Sequence, residues 1–385
     1  MANDYLKELR AITNSTSMDK SEIGERGQLI DTGSFALNRI ISGDIYGGMP
    51  SDRVIVFSGE SATGKTLVTL CVVSNAIRKN KFDKCFAFDG EGGFSKKMMS
   101  NIGISLPDLE HVPVRNIEDA ATKIYATYDY IAKVQKENPD FRCLLFLDSL
   151  GSLITRKAIK DMTDDNLKLD RGLRARMCND MIKAFTIPAL ETGCGLIILN
   201  HVHDNPNEMY PSKIKHQSGG KGLQYMSRLM IQCVKSLQRN EERKEDDVYL
   251  SNKLKFMTIK NFTVVPFVET EIELDFRKGF TSKYSGLIPV AIKLGFIEDC
   301  GRNRYIVKSW DKTKKIKEID LLSTNKTDEI WETFIKEFNV KQQEEIQYSS
   351  FLDDTPIAAA SLGEEEQDAE NHDRETPEKS NIKLI

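Results

Sequence analysis

Apolar residues fall into two patterns along this 385-residue chain. Short continuous runs recur at Val54–Phe57, Cys85–Asp89, Cys143–Asp148 and Gly195–Asn200. A strand with one wet face alternates, so an unbroken apolar run predicts a strand covered on both faces. Longer stretches with apolar residues three and four apart predict helices over Lys65–Arg78, Ile117–Glu137 and Met177–Thr192. Strand and helix alternate, the pattern of an α/β fold with a mostly parallel central sheet flanked by helices. Leu229–Val234, Leu254–Lys260 and Val268–Phe276 follow one another through turns without helices. They predict an antiparallel extension at one edge of that sheet.

The pattern also divides the chain. Residues 1–29 hold a short amphipathic stretch, Tyr5-Leu6-x-x-Leu9-x-x-Ile12, then a polar Thr/Asn/Ser linker. Its apolar face packs either on its own chain or on a neighbouring subunit. Residues 30–280 carry the α/β core. Residues 281–350 form a small region in which Ile330, Trp331, Phe334, Ile335 and Phe338 predict one amphipathic helix. Residues 351–385 read as a disordered acidic tail, too polar to offset the entropy of ordering.

Charge sharpens that division. The net charge is −4, yet residues 353–385 carry ten Asp or Glu against three Lys or Arg, a net of −7. The preceding residues are therefore +3, a mildly basic body with an acidic tail. No apolar run approaches the ~20 residues of a membrane span. The polar N-terminus lacks a signal-peptide apolar core, and the seven cysteines include no C-x-x-C pair. A cytoplasmic protein with reduced, buried thiols is expected.

Chemistry concentrates where the apolar runs end. Gly59-Glu60-Ser61-Ala62-Thr63-Gly64-Lys65-Thr66 is a complete G-x-x-x-x-G-K-[ST] loop, preceded by a strand and followed by a helix. Glycines at both ends let backbone N–H groups turn inward onto phosphate oxygens, and the helix adds its positive end. Lys65 can reach the β- and γ-phosphates of a nucleotide and Thr66 can offer its hydroxyl to Mg²⁺. Cys143–Asp148 ends on Asp148, a candidate for the Mg²⁺ shell at the carboxyl edge of the sheet. Phe86–Glu91 ends in Asp89-Gly90-Glu91, and Glu91 is placed to polarise a water attacking the γ-phosphate; a solvated loop acid is the alternative. Leu196–His201 ends in Asn200-His201, two polar residues suited to sensing that phosphate. His201 and His203 have no evident third ligand, which argues against a metal there.

Taken together, the Asp-Thr-Gly-Ser-Phe-x-Leu-Asn segment from Asp31, the Gly-Gly-Met-Pro turn from Gly47, the phosphate loop, Asp-Gly-Glu, Leu-Asp-Ser and Leu-Asn-His resemble the RecA-family core over residues 28–300. Tyr284-Ser285-Gly286-Leu287 with Leu294-Gly295-Phe296 is closest to the UvsX-type recombinases of tailed phages. The resemblance implies ATP and Mg²⁺ as cofactors and a role for Glu91 in hydrolysis. It puts His201 at the γ-phosphate sensor position, where the family more often has Gln, and Met98 where an aromatic residue often stacks on adenine. Two DNA-binding loops are implied, Ile154–Arg171 with Arg156, Lys157, Lys160 and Arg171, and Val202–Ser218 with Lys213, Lys215 and His216. Lys260 matches the first of two basic residues that reach a neighbouring subunit's phosphates, and Phe262 stands at the second.

The function implied is a DNA-dependent ATPase that forms helical homo-oligomeric filaments on single-stranded DNA. It would pair them with homologous duplex DNA and exchange strands without reading sequence itself. A mediator or loader and a single-strand-binding protein are the expected partners. A RecA-fold ring motor of helicase type and an ATP-regulated assembly protein are the alternatives. DNA-stimulated hydrolysis and homologous pairing discriminate among the three.

Overall fold

The computed structural model describes residues 2–13, 15–17, 26–164, 171–204, 213–220, 222–235 and 251–348. All lie in the first of two compact units, Met1–Tyr348. The acidic tail lies outside the described residues.

The chain opens with α1 (Ala2–Thr13), then a ribbon of β1 (Leu29–Ile30) and β2 (Met49–Pro50) bracketing α2 (Phe35–Ser42). The alternating core follows as β3 (Val54–Gly59), α3 (Lys65–Arg78), β4 (Lys84–Asp89), α4 (Lys96–Asn101), β5 (Leu109–Pro113), α5 (Ile117–Glu137) and β6 (Cys143–Asp148). Next come α6 (Arg156–Thr163), α7 (Arg171–Thr192), β7 (Leu196–His203), β8 (His216–Gln217), α8 (Gly222–Met226) and β9 (Leu229–Lys235). The extension is β10 (Ser251–Lys260), β11 (Glu269–Asp275) and β12 (Gly279–Phe280).

These strands form a ten-stranded sheet in the order β12-β11-β10-β9-β3-β7-β6-β4-β5, with β8 beside β7. The run from β9 to β5 is parallel, and β10 to β12 continue it antiparallel, as the helix-free sequence predicts. The apolar runs are continuous because both faces are covered. Ile55, Phe57, Phe146 and Leu199 join α3 in one core, whereas Val54, Val56, Leu145 and Ile198 join α5 and α7 in the other. No described helix is long and apolar enough to cross a membrane.

Three elements depart from the sequence pattern. β5 is an edge strand with Glu110, His111 and Pro113 exposed, so it lacks the apolar run that marks the central strands. α7 begins six residues before Met177, in a polar stretch rich in arginine. The single helix expected around Phe334 is two.

After β12 come α9 (Ile288–Lys293), a small sheet of β13 (Ile297–Asp299), β14 (Arg304–Val307) and β15 (Ile316–Lys317), and α10 (Glu318–Leu322), α11 (Thr327–Glu332) and α12 (Ile335–Ile346). The break between α11 and α12 falls at Thr333-Phe334, where Thr333 Oγ1 donates to Ile330 O at 2.7 Å and Phe334 leaves helical geometry at φ −143°. Phe334 thereby stacks on Phe296 at 5.3 Å, and Phe338 meets Trp331 edge-on at 6.1 Å. Aromatic packing outweighs helical continuity. This region shares its core with the sheet, since Trp331 also stacks on Tyr284 at 4.8 Å.

Candidate active site

The parallel register sets the carboxyl ends of five strands side by side. Gly59 pairs with His201 on one flank and Cys233 on the other, and Asp89 pairs with Asp148. Every polar run-end singled out in the sequence therefore meets at one edge, where open α/β sheets hold their ligands.

The phosphate loop is built by backbone constraints. A Cβ at Gly59 would lie 2.5 Å from Cys233 O, so only glycine allows β9 to approach. Ala62 and Gly64 adopt left-handed conformations, φ 57° and 75°, which curl the loop into α3. Cys233 Sγ donates to Thr63 O at 2.9 Å and Thr63 Oγ1 to Glu60 O at 2.8 Å, fixing it further. Lys65 is buried, and its ammonium donates to the carbonyls of Gly59 (3.0 Å) and Glu60 (2.7 Å). Burial holds its pKa below the ordinary lysine value. Cys233 is a neutral thiol, pushed up to about 12 by burial, so the opposing attraction comes from Asp148, Glu91 and Glu60.

Thr66 Oγ1 donates to Asp148 Oδ2 at 2.7 Å. Burial raises the Asp148 carboxyl to about 6, against the hydrogen bond from Thr66, and Glu91 adds to the rise. A hydroxyl and a buried carboxylate side by side fit a hard divalent cation. No described cluster of three or more His, Cys, Asp or Glu could hold a metal alone. The Thr66–Asp148 pair suits Mg²⁺, which takes one or two protein ligands and completes its shell with phosphates and water.

Glu91 sits beside this pair, with Oε1 accepting from Ser149 Oγ and 3.1 Å from His201 Nε2. Burial works to raise its pKa, but the hydrogen bonds from Ser149 and His201 prevail and hold it below the usual glutamate value. Its loop is fixed by Asp89, whose Oδ1 accepts from the backbone of Glu91 (3.1 Å) and Gly92 (2.6 Å). Asp89 Oδ2 in turn lies 3.0 Å from His111 Nε2 on β5. The Glu91 carboxylate is thus ionised, aimed and next to the phosphate loop.

Other residues named from sequence are placed differently. Lys260 is remote from its own phosphate loop. Gly59 is level with Cys233, which pairs with Phe256, and Lys260, past a bulge in β10, pairs with Met230 three residues back on β9, roughly 10 Å away by strand rise. Its ammonium donates to Tyr225 O at 2.5 Å. Phe262 carries Arg53 over its ring at 5.4 Å. Met98, on α4, is partly buried against the core.

In the first candidate loop, α6 is capped by Thr155 Oγ1, which accepts from Ala158 N at 3.1 Å. Glu118 accepts from the Arg156 backbone at 2.9 Å, and the Arg156 and Lys157 side chains are exposed. Residues 165–170 and the Arg171 side chain lie outside the described residues. In the second loop the same holds for residues 205–212. Lys213 is exposed, His216 lies 6.3 Å from the His203 ring, and Lys215 turns back to pair with Asp204 and Glu60.

Residues that the sequence pattern does not single out do much of the positioning. Ser149 follows Asp148 directly and could have been found by asking what orients Glu91. Gln232 is a polar residue inside an apolar run, a signal of a buried tie. Arg174 donates to the carbonyls of Leu150, Gly151 and Leu153, fastening α7 to the turn after β6. His111 had no signal, because its strand lacks an apolar run.

A family model described as the RecA N-terminal domain matches residues 13–281. Protein RecA of Campylobacter hominis is 25% identical over 280 residues, covering 72% of this chain and 73% of that protein. Protein RecA of Ehrlichia chaffeensis is 25% identical over 280 residues, covering 72% and 71%. Protein RecA of Anaplasma marginale is 23% identical over 285 residues, covering 73% and 72%.

Proposed function

The chain belongs to the RecA family, and from that premise we propose that it is a DNA-dependent ATPase acting as a homologous recombinase of the UvsX type. It polymerises on single-stranded DNA with ATP, pairs that strand with a homologous duplex and exchanges strands. Its expected setting is the cytoplasm, with a loader and a single-strand-binding protein as partners.

The observation that carries this reading is the convergence at one sheet edge of Lys65, the Thr66–Asp148 pair and the Ser149–Glu91–His201 group, continuous with the loop from Val202 to Ser218. Backbone N–H groups of residues 59–66 and the Lys65 ammonium hold the phosphates. Thr66 and Asp148 would hold Mg²⁺, which supplies charge neutralisation on the phosphate oxygens. Glu91 orients a water for attack on the γ-phosphorus, and ADP leaves. His201 touches Glu91 and begins the second loop, a position suited to reporting the γ-phosphate to that loop. Met98 offers a flexible thioether to the adenine face.

Two features favour an assembly. Tyr5, Leu6, Leu9 and Ile12 on α1 are 71, 46, 51 and 76% exposed, an apolar face left uncovered among the described residues. Lys260, remote from its own phosphates, suits the phosphates of a neighbour. We assign α1 to subunit docking and Lys260 to catalysis in trans. Arg156, Lys157, Arg171, Lys213 and His216 are assigned to the DNA backbone, where contacts are independent of sequence.

Electron microscopy with single-stranded DNA and a non-hydrolysable ATP analogue tests the assignment. Helical filaments are expected. Closed rings would favour a motor, and filaments indifferent to DNA with no DNA-stimulated turnover would favour a regulatory assembly protein.

A further inference from the structure

The returning arm of the second loop is fastened to the strand that feeds the phosphate loop. Gln232, fully buried on β9 opposite Ser58, donates through Nε2 to Lys213 O at 2.7 Å and accepts the Lys215 N–H through Oε1 at 2.8 Å. Two residues on, Gln217 Nε2 donates to Ser58 Oγ at 3.1 Å, and Gln217 Oε1 accepts from Asn200 Nδ2 at 3.2 Å. Buried amides bonded at both ends fix the arm in place, because leaving either end unpaired would be costly.

This clamp holds one side chain over the phosphate loop. The Lys215 ammonium pairs with Asp204 and lies 3.7 Å from Glu60 Oε1, and the side chain is only 13% exposed. The hydrogen bond to Asp204 raises its pKa first, with both carboxylates adding to the rise. A DNA phosphate would have to displace two carboxylates to take it, whereas Lys213 nearby is exposed. Glu60 is the only acidic residue of the loop from Gly59 to Thr66. Unneutralised, its carboxylate would repel an incoming triphosphate.

We propose that Lys215 is a coupling residue that latches the second loop onto Glu60 of the phosphate loop, so that the position of the loop sets the affinity for a nucleoside triphosphate. The proposal rests on the ATP and DNA reading above and adds the device that links the two. With the latch closed, the Lys215 ammonium offsets the Glu60 charge, and Lys65 and Lys215 together balance Glu60 and Asp204, so the phosphates meet a loop without excess negative charge. Drawing the arm away exposes the Glu60 charge and weakens nucleotide binding. By linkage, nucleotide binding then biases the loop to the same degree.

Equilibrium binding of a non-hydrolysable ATP analogue with Mg²⁺ tests the latch in wild type, Lys215→Met, Glu60→Gln and the double variant. Lys215→Met should weaken binding about fivefold, the effect of one unit charge at short range in a water-like medium. Adding Glu60→Gln should restore affinity to within about twofold of wild type, because the repelling charge is gone. Lys215→Arg should bind as wild type does. A double variant as weak as Lys215→Met would overturn the proposal. So would wild-type nucleotide affinity in Lys215→Met together with a salt dependence of single-strand binding flattened by about 0.7 in log–log slope, the signature of a DNA contact. A wild-type protein that binds no ATP would sink the functional reading and the latch together; normal binding with independent variant effects would sink the latch alone.

Discussion

Asp148→Asn should stabilise the fold while removing the carboxylate proposed to hold Mg²⁺. Asp148 is 6% exposed, shares its corner with Asp89 and Glu91, and has its carboxyl raised from 3.8 to about 6 chiefly by burial. A raised carboxyl means that the folded chain holds this proton more tightly than the unfolded chain. That favours folding below pH 3.8, and the advantage is lost as pH rises through about 6. Above that, the ionised carboxylate opposes folding by about 3 kcal/mol at 1.36 kcal/mol per pH unit, an upper bound once water reaches the site. Asparagine keeps an oxygen to accept from Thr66 and carries no charge. At ~2 cal/mol/K per residue over the folded body, the gain at pH 8 is worth up to about 4 °C in melting temperature. Thermal unfolding with EDTA and no nucleotide, at pH 4.5 and pH 8, measures it. The gain should be small at the lower pH and full at the higher one. Added Mg²⁺ and ATP should raise the melting temperature of wild type alone. A variant no more stable than wild type at pH 8 would refute the reasoning.

Lys65→Ala should abolish nucleotide binding, whereas Glu91→Gln should keep binding and lose about 10²-fold or more in turnover; near-normal hydrolysis by Glu91→Gln would remove it from catalysis. Arg156→Ala with Lys213→Ala should weaken binding to single strands of any sequence and flatten the salt slope by about 0.7 for each phosphate that is no longer neutralised, and an unchanged slope would take both off the DNA surface. Trp331→Ala removes a fully buried ring stacked on Tyr284 and bonded through Nε1 to Leu321 O at 2.8 Å. It should lower stability by about 3–5 kcal/mol in denaturant titration, and a drop of under about 1 kcal/mol would mean that the region does not share the core.

The α/β order was legible because each central strand must be apolar on both faces. β3 and β6 therefore stand out as unbroken runs, and the residues that end them are forced to the carboxyl edge. The phosphate loop was legible for a different reason: its glycines answer local backbone demands that no distant contact can replace. Such features depend on near neighbours in sequence, so the sequence by itself determined the fold class, the glycine loop after β3 and the acids Asp148 and Glu91 at the ends of strands. Tertiary structure alone decided what those groups touch. That Ser149 and His201 converge on Glu91, that His111 props Asp89 from an inconspicuous edge strand, and that α11 and α12 break to seat Phe334 all follow from packing between distant segments. Lys215 shows the limit most clearly. Its sequence marks one of two lysines in a loop that also carries acids, but the fold brings it between Asp204 and Glu60 while Gln232 binds the arm to the sheet. A charge reports what a side chain can attract; the fold decides which opposite charge comes within reach.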